Sequence, residues 1–246
     1  MRSMKIAAVA VMSLFLSLTV AGAESITIIT GEWAPYMSEK LPGGGPVNEL
    51  VQAAFKAAGV EAKFKYVPWK RALQAIKTGK TVASSSWTFS EDRKVYAAAS
   101  EPLMEQGEVF IFMKDRLPGF DYTGLAGLKK HKVAALSGYR HESLFKDAGL
   151  NPDVSKDTET AVKKLYGGRV DLMCEDRVVA LTTIRRLYPG QEDKFGFSKT
   201  PRSVDFLHLL FSRKHPEMGK YLEKFNAGLA RIKEDGTYQA IMDKMN

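Results

Sequence analysis

The sequence predicts an α/β fold of two lobes joined by two crossing strands. Strand-like and helical segments alternate in the first part of the chain, and the alternation resumes after a loop with Pro118, Gly119 and Gly124. Two strongly apolar segments connect the units, EVFIFMK at 108–114 and DFLHLLFSRK at 205–214. A chain that passes to a second unit and returns is tied at two points, which is typical of proteins that close about a hinge.

The first unit is predicted to have the order β-α-β-α-β. Its strands are SITIITG, KFKYVPW and TVASSSW. One helix begins at Pro46 and ends at Gly59, because proline suits the first helical position and glycine the end of a helix. The second helix is KRALQAIKTG, which ends at Gly79. Strands joined in this way form a parallel sheet with right-handed crossovers.

The second unit repeats the pattern with other spacings. It contains the strand KVAALSG, a helix from about His141, the helix DTETAVKKLYGG, the strand VDLMCED and the helix RVVALTTIRRLY. A C-terminal helix then presents one apolar face until Asp235 and Gly236 interrupt it. We therefore expect one lobe at 24–110 with 208–246 and the other at 111–207.

Residues 1–23 are predicted to be a cleaved signal peptide. Arg2 and Lys5 precede an apolar run that ends in Ala21-Gly22-Ala23, so the mature chain should begin near Glu24 in the periplasm. The formal net charge is +8, and loss of Arg2 and Lys5 with the leader would leave +6. In an exported protein this charge favours anionic ligands over nucleic acid, which we do not expect as a partner. Nothing indicates oligomers, so we expect a monomer.

Catalytic and metal-binding motifs are not recognisable. The four histidines show no metal-ligand spacing, and GGG at 43–45 lacks the Lys-Ser/Thr of a phosphate loop. The single cysteine, Cys174, cannot form an intramolecular disulfide and lies in an apolar strand, which is typical of a core thiol. We expect no catalytic residue, metal site or cofactor.

Aromatic and polar residues concentrate at the predicted strand ends, where ligands of open α/β sheets bind. In the second lobe the strand-to-helix turn LSGYRHE offers free N–H groups to an anion, and VDLMCED ends in Glu175 and Asp176. Each residue alone could be structural, but three tryptophans and two arginines on one edge indicate a binding site. The candidates are Trp33, Trp69, Arg71, Ser86, Trp87, Thr88, Arg93, Tyr139, Arg140 and Asp176.

Arg93 is the most informative candidate. Thr88 and Glu91 have the spacing of a capping box, so Arg93 should lie in the first turn of a helix, where the helix dipole disfavours a cation. It needs an anion, which could be a surface partner (Glu91, Asp92 or Glu101) or a ligand. An arginine in one lobe and a carboxylate in the other suit a zwitterion, which indicates an amino acid.

Four segments resemble extracellular solute-binding protein family 3, the periplasmic amino-acid receptors of ABC importers. They are TFSEDR running into SEPL, HKVAALSGYRHE, KKLYGGRVDLMCED and LEKFNAGLARIKEDGTYQAIMDKM. The resemblance implies a type II periplasmic binding protein-like fold and delivery of the ligand to an inner-membrane ABC permease. It places the ligand carboxylate on Arg93 and the α-amino group on Asp176. It also implies backbone contacts from Tyr139 and Arg140, hydroxyl contacts from Ser86 and Thr88, and aromatic walls from Trp33 and Trp69.

Some segments depart from the family pattern. GKTVA lacks an expected aspartate, EWAPY, PWKRAL and SSSWTF are more aromatic, and Arg71 is an added cation. An acidic or aromatic ligand is therefore as consistent with the sequence as a cationic one. Two other functions stay open: a cyclohexadienyl or arogenate dehydratase-like enzyme in which Glu175 or Asp176 does proton chemistry, and a ligand sensor that serves a signalling receptor.

Overall fold

The computed structural model describes residues 24–245, so the predicted signal peptide lies outside the described residues. The strands are β1 (Glu24–Thr30), β2 (Val60–Tyr66), β3 (Ala83–Thr88), β4 (Ala97–Ala99), β5 (Met104–Met113), β6 (Val133–Leu136), β7 (Asp153–Ser155), β8 (Leu172–Asp176), β9 (Phe195–Phe197) and β10 (Ser203–Ser212). The helices are α1 (Pro46–Ala57), α2 (Trp69–Thr78), α3 (Glu91–Lys94), α4 (Arg140–Asp147), α5 (Thr158–Tyr166), α6 (Arg177–Leu187), α7 (Met218–Glu234) and α8 (Thr237–Met242).

Hydrogen bonds link the strands into one sheet with the order β2-β1-β3-β10-β5-β8-β6-β7, and β4 and β9 add to β10 and β5. β1 is parallel to β2 and β3, and β6 is parallel to β7 and β8. The predicted α/β class and parallel pairings are confirmed. The short strands β4, β7 and β9 were not predicted, since three residues are too few to show a periodic pattern.

The chain crosses between the two halves of the sheet in β5 and β10, which run antiparallel. Their first halves pair with each other, from Ser203 opposite Glu108 to Leu207 opposite Met104. Beyond this pairing β5 continues along β8 and β9, and β10 continues along β3 and β4. We call the part built on β1–β4 and α7 the first lobe and the part built on β6–β9 the second. The boundaries predicted at 110/111 and 207/208 fall inside these two strands.

Each lobe is built around its own apolar residues. In the first lobe α1 packs against α7, with Phe55 and Phe225 in contact at 5.0 Å between ring centroids. In the second lobe the alternate residues of β5 enter two clusters, Val109 and Ile111 in one and Phe110 in the other. Burial on both faces explains the uninterrupted apolar run of this strand.

The helix start predicted at Thr88 is wrong. Thr88 is the last residue of β3, and α3 begins at Glu91 after Ser90 in the N-cap position. The Ser90 hydroxyl donates to Oδ1 of Asp92, 2.5 Å away, and does not cap a backbone N–H. Strand pairing with β10 keeps Thr88 extended, so the capping-box spacing is coincidental here. Within residues 24–245 no helix has the length and apolarity needed to span a membrane.

Candidate ligand-binding cleft

A cleft lies where the two lobes meet. Its walls come from the strand ends of both lobes and from the crossing strands between them. The lining residues are Trp33, Trp69, Ser86, Trp87, Thr88, Arg93, Gln106, Glu108, Tyr139, Arg140 and Leu207. All three tryptophans of the chain therefore contribute to one cleft.

Eight of the predicted site residues are among these lining residues, while Arg71 and Asp176 are not. Arg71 is exposed on α2, whose buried side is formed by Ala72 and Ile76, so its side chain extends into solvent. Asp176 is the N-cap of α6, and its Oδ1 accepts hydrogen bonds from the backbone N–H groups of Val178 and Val179. This cap holds the Asp176 carboxylate at the helix end, outside the lining.

Arg93 is buried, with 3% of its surface exposed, and its hydrogen bonds go to Thr88. Its Nη1 donates to the carbonyl oxygen of Thr88 at 2.7 Å and to the Thr88 hydroxyl at 3.3 Å. No carboxylate in the described part of the chain lies within 4.0 Å of its guanidinium group. Burial lowers the pKa of Arg93, since a desolvated charge is disfavoured. A surface ion pair therefore does not account for this residue.

The aromatic wall is built by perpendicular packing. The ring centroid of Trp69 lies 5.1 Å from that of Trp87, and the two planes meet at 89°. Trp69 Nε1 donates to the carbonyl oxygen of Glu32 at 3.2 Å, which fixes the orientation of the ring. The guanidinium carbon of Arg93 lies 5.0 Å from the centre of the Trp87 ring, a distance suited to a cation–π contact. The cationic group and the wall are thus held together before any ligand arrives.

Ser86 has an unusual backbone conformation at the edge of the cleft. Its φ is +66°, which serine rarely adopts. The pairing of β3 with β10 shifts register at this point, between His208 and Leu210. A β-bulge re-aims side chains, and here the Ser86 hydroxyl lies 3.2 Å from Sδ of Met37 and lines the cleft. Local strain of this kind is common at binding sites.

The lobes touch directly around the cleft. Trp33 of the first lobe donates through Nε1 to Oε1 of Glu175 in the second at 3.3 Å. The ring centroids of Trp69 and Tyr139 are 6.0 Å apart. Gly138 approaches α2 so closely that an added Cβ would lie 2.8 Å from the backbone nitrogen of Lys70. These contacts indicate a closed arrangement of the lobes.

Glu108 centres a buried polar network beneath the cleft. Its Oε2 is 2.6 Å from Nε of Arg202, 3.2 Å from Nδ1 of His141 and 3.4 Å from Sγ of Cys174. Burial alone would raise the pKa of Glu108, but His141 and Arg202 together outweigh it and lower the pKa to about 2. The Cys174 thiol has its pKa raised by burial.

This network does not suit a metal ion, although one ligand atom each from Glu108, His141 and Cys174 fall within 4.8 Å of one another. The Arg202 guanidinium already occupies the Glu108 oxygen that faces the other two. Nε2 of His141 accepts the backbone N–H of Leu136 at 3.0 Å, which places the ring proton on Nδ1. A cation would compete with a fixed guanidinium and a ring proton.

Glu175 is completely buried at the end of β8. It accepts hydrogen bonds from the Thr158 hydroxyl at 2.7 Å and from the backbone N–H of Asp176 at 2.8 Å, besides the indole of Trp33. Burial raises the pKa of Glu175 to about 8 despite these donors. It does not line the cleft.

Gln106, Glu108 and Leu207 line the cleft without having been predicted. They lie on the crossing strands β5 and β10, which we interpreted only as connections between the lobes. The sequence did contain an indication for Glu108, because this acidic residue begins an apolar segment, and that segment was expected to be buried. A carboxylate in such a position needs partners, and the sequence alone does not identify them.

Known proteins match this chain along nearly its whole length. Residues 26–245 match the family model of bacterial extracellular solute-binding proteins, family 3. The arginine-binding periplasmic protein of Mannheimia haemolytica is 26% identical over 234 residues, which cover 94% of each chain. The L-cystine-binding protein TcyJ of Escherichia coli is 27% identical over 207 residues, covering 80% of this chain and 71% of TcyJ.

A solved structure also matches most of this chain. An ancestral arginine-binding protein bound to arginine superimposes with a TM-score of 0.73 and 26% sequence identity. The match covers 89% of this chain and 97% of the ancestral protein. These similar proteins are named for different amino acids, so their names do not define one ligand.

Proposed function

Because the chain belongs to the bacterial extracellular solute-binding proteins, family 3, we propose that it captures an amino acid or a related small carboxylate between its lobes. The two relatives described above are named as an arginine-binding and an L-cystine-binding protein. The ligand of this chain is a free molecule held in the cleft, and its binding stabilises the closed arrangement of the lobes.

The observation that carries this proposal is the buried guanidinium of Arg93, which has no carboxylate within 4.0 Å among residues 24–245. A buried charge without a counterion is costly, and a carboxylate is the anion that the two N–H edges of a guanidinium fit best. Arg93 lies against Trp87 and beside the Ser86 and Thr88 hydroxyls, which supply further polar contacts. An α-carboxylate bound here removes the cost of the unpaired cation.

The other predicted contacts follow from the same position. Trp33 and Trp69 form the apolar walls on either side of the ligand, and Tyr139 and Arg140 close the cleft from the second lobe. Asp176 remains our candidate for the α-amino group, and its helix cap engages only Oδ1. Arg71 is outside this proposal, since its side chain is exposed to solvent.

Delivery to an inner-membrane ABC permease from the periplasm is the biological role we propose, with a cleaved leader at 1–23. Closure changes the surface that the two lobes present together, so a permease can distinguish the loaded from the empty form. A receptor in a signalling pathway could use the same difference. The dehydratase-like alternative requires Glu175 or Asp176 to reach the ligand, and Glu175 is completely buried and bonded to Trp33, Thr158 and the Asp176 N–H.

Thermal unfolding of the mature chain with each standard amino acid and with small dicarboxylates tests the proposal. A ligand at about a thousand times its Kd adds roughly 4 kcal/mol to the folded state, which raises the Tm by several degrees. We expect one ligand class to give a large shift. We expect Arg93→Ala to abolish this shift and Arg93→Lys to reduce it.

Arg71→Ala is the matched control, because it removes an arginine that is exposed and outside the cleft. It should keep the shift within about a degree. Affinity retained within a few-fold in Arg93→Ala, or no shift with any of these ligands on protein freed of carried-over ligand, would overturn the proposal.

A further inference from the structure

Glu108 is the acidic residue that lines the cleft among the described residues, and it is buried, with 5% of its surface exposed. It lies on the crossing strand β5, opposite Ser203 of β10 and Asp176 of β8. It is thus placed at the floor of the cleft, where the two lobes meet.

The two oxygens of this carboxylate have different surroundings. Oε2 takes every hydrogen bond that the described residues give to the side chain, from Arg202, His141 and Cys174. Oε1 takes none from the described part of the chain. Oε1 is not among the fully buried polar atoms that lack a partner, so it is accessible from the cleft that Glu108 lines. An acceptor left open at the floor of a cleft is therefore a place for a donor from outside the protein.

The charge of Glu108 is held in place from behind. The Arg202 side chain is buried and lies 2.5 Å from Oε2 through Nη2. His141 adds a second donor, because its Nε2 is already occupied by the Leu136 N–H and its ring proton therefore points to Glu108. The carboxylate is thus ionised, oriented and prevented from rotating before a ligand binds.

We propose that Oε1 of Glu108 accepts a hydrogen bond from an N–H group of the ligand and so makes Glu108 a specificity-determining residue of the cleft. This inference rests on the proposed function and adds one chemical requirement, a nitrogen donor on the ligand. The donor is either the α-ammonium group or a side-chain nitrogen. Arg93 then selects the anionic end of the ligand and Glu108 a nitrogen at another point.

Glu108→Gln tests this requirement. The amide oxygen can serve Arg202 and His141 only if the amide N–H₂ faces the cleft, where it opposes a ligand N–H. Glu105→Gln is the matched control, since Glu105 is exposed on the same strand and outside the cleft. In Glu108→Gln the Arg202 guanidinium loses its ionic partner. If that variant does not fold, the double variant Glu108→Gln/Arg202→Gln, which also removes the guanidinium, is used in the same experiment.

The probes are the standard amino acids, each paired with the carboxylic acid that lacks its α-amino group, and glutamine paired with glutamate. Titration calorimetry should show a loss of about tenfold or more in Glu108→Gln for ligands that carry the nitrogen. Ligands that lack it should change less than threefold, and Glu105→Gln should match the wild type. If the variant loses affinity for amino acids but not for their des-amino partners, the donor is the α-ammonium group. If it loses affinity for glutamine but not for glutamate, the donor is a side-chain nitrogen.

Equal losses for both members of every pair, or wild-type affinities throughout, would overturn the inference while wild-type binding still upholds the proposed function. Binding of no probe by the wild type would overturn the proposed function and this inference with it. The Tm of each variant without ligand separates a folding defect from a lost contact.

Discussion

The indole nitrogen of Trp33 donates a hydrogen bond to Oε1 of Glu175, 3.3 Å away, across the boundary between the lobes. Trp33 lines the cleft, and Glu175 is completely buried at the end of β8. One side chain thus serves as cleft wall and as a bond between the lobes. Trp33 thus joins the wall of the cleft to the second lobe.

Trp33→Phe should weaken ligand binding by about three- to tenfold, because it keeps an aromatic wall but removes the bond that favours closure. X-ray scattering should show a more open shape without ligand. A double-mutant cycle with Glu175→Leu, which has no acceptor for the indole N–H, isolates the contact, with a coupling energy on the order of 1 kcal/mol. Strict additivity of the two substitutions would show that the hydrogen bond does not stabilise closure.

The stability of the protein should fall as the pH rises from about 5 to about 8. Burial raises the pKa of Glu175 to about 8, so in this range the unfolded chain loses a proton that the folded chain retains. The folded state binds more protons, and the free energy of unfolding therefore decreases with pH. The stabilisation that protonated Glu175 contributes is fully present below the ordinary glutamate pKa and is lost as the pH rises through about 8.

Glu175→Gln should flatten this dependence, as chemical denaturation at several pH values can measure. Some slope should remain, because burial also raises the pKa of the neighbouring Asp176. A variant with the same slope as the wild type would assign the dependence to other groups.

Much of the fold could be predicted because its signals are local. The α1 helix begins at Pro46 and ends before Gly59, as proline and glycine predict, and the apolar segment of β5 is buried on two faces. Membership of the family was predicted from four segments and is confirmed. The error at Thr88 arose because pairing with β10 extends β3 past the expected helix start.

The cleft was harder to predict because its contacts join distant parts of the chain. Arg93 was identified through its local surroundings, but nothing local shows that Glu108 meets Arg202, which lies 94 residues later. Arg71 follows the same strand end as Trp69, yet two helical positions separate a wall residue from a solvent-facing one. Such distinctions depend on the rotation of α2 against the sheet.

Asp176 should reveal two separable roles, since its Oδ1 caps α6. Asp176→Ala should lower the free energy of unfolding by about 1 kcal/mol, whereas asparagine is a good N-cap and should nearly preserve it. If the carboxylate also holds the α-amino group, Asp176→Asn weakens amino acids and spares their des-amino analogues. Calorimetry on both ligand types decides this, and equal losses would count against the contact.

Gly138→Ala should hold the lobes apart. An alanine Cβ would lie 2.8 Å from the backbone nitrogen of Lys70 in the other lobe, so the backbone of one lobe must shift to admit it. We expect ligand affinity to fall by about tenfold or more and the ligand-induced compaction in X-ray scattering to diminish. The residue also has a φ of +88°, which strains alanine.

Gly149→Ala controls for that strain. Gly149 has a φ of +74° in the same lobe, and nothing lies within 4 Å of an added Cβ. It should lose stability of about 1 kcal/mol and keep its ligand affinity. Similar affinity losses in both variants would mean that backbone strain, and not contact between the lobes, explains the effect.

Gly228→Ala should destabilise the first lobe strongly. Gly228 lies in α7 where this helix crosses α1, and an added Cβ would lie 1.8 Å from the carbonyl oxygen of Ala54. The helices must separate to admit a methyl group, and overpacking of this kind costs about 1–3 kcal/mol. Gly219→Ala on the same helix meets no atom within 4 Å and should be neutral or stabilising by up to about 1 kcal/mol. Thermal unfolding of the two variants separates the close helix contact from helix propensity, because propensity alone predicts that both substitutions stabilise the protein.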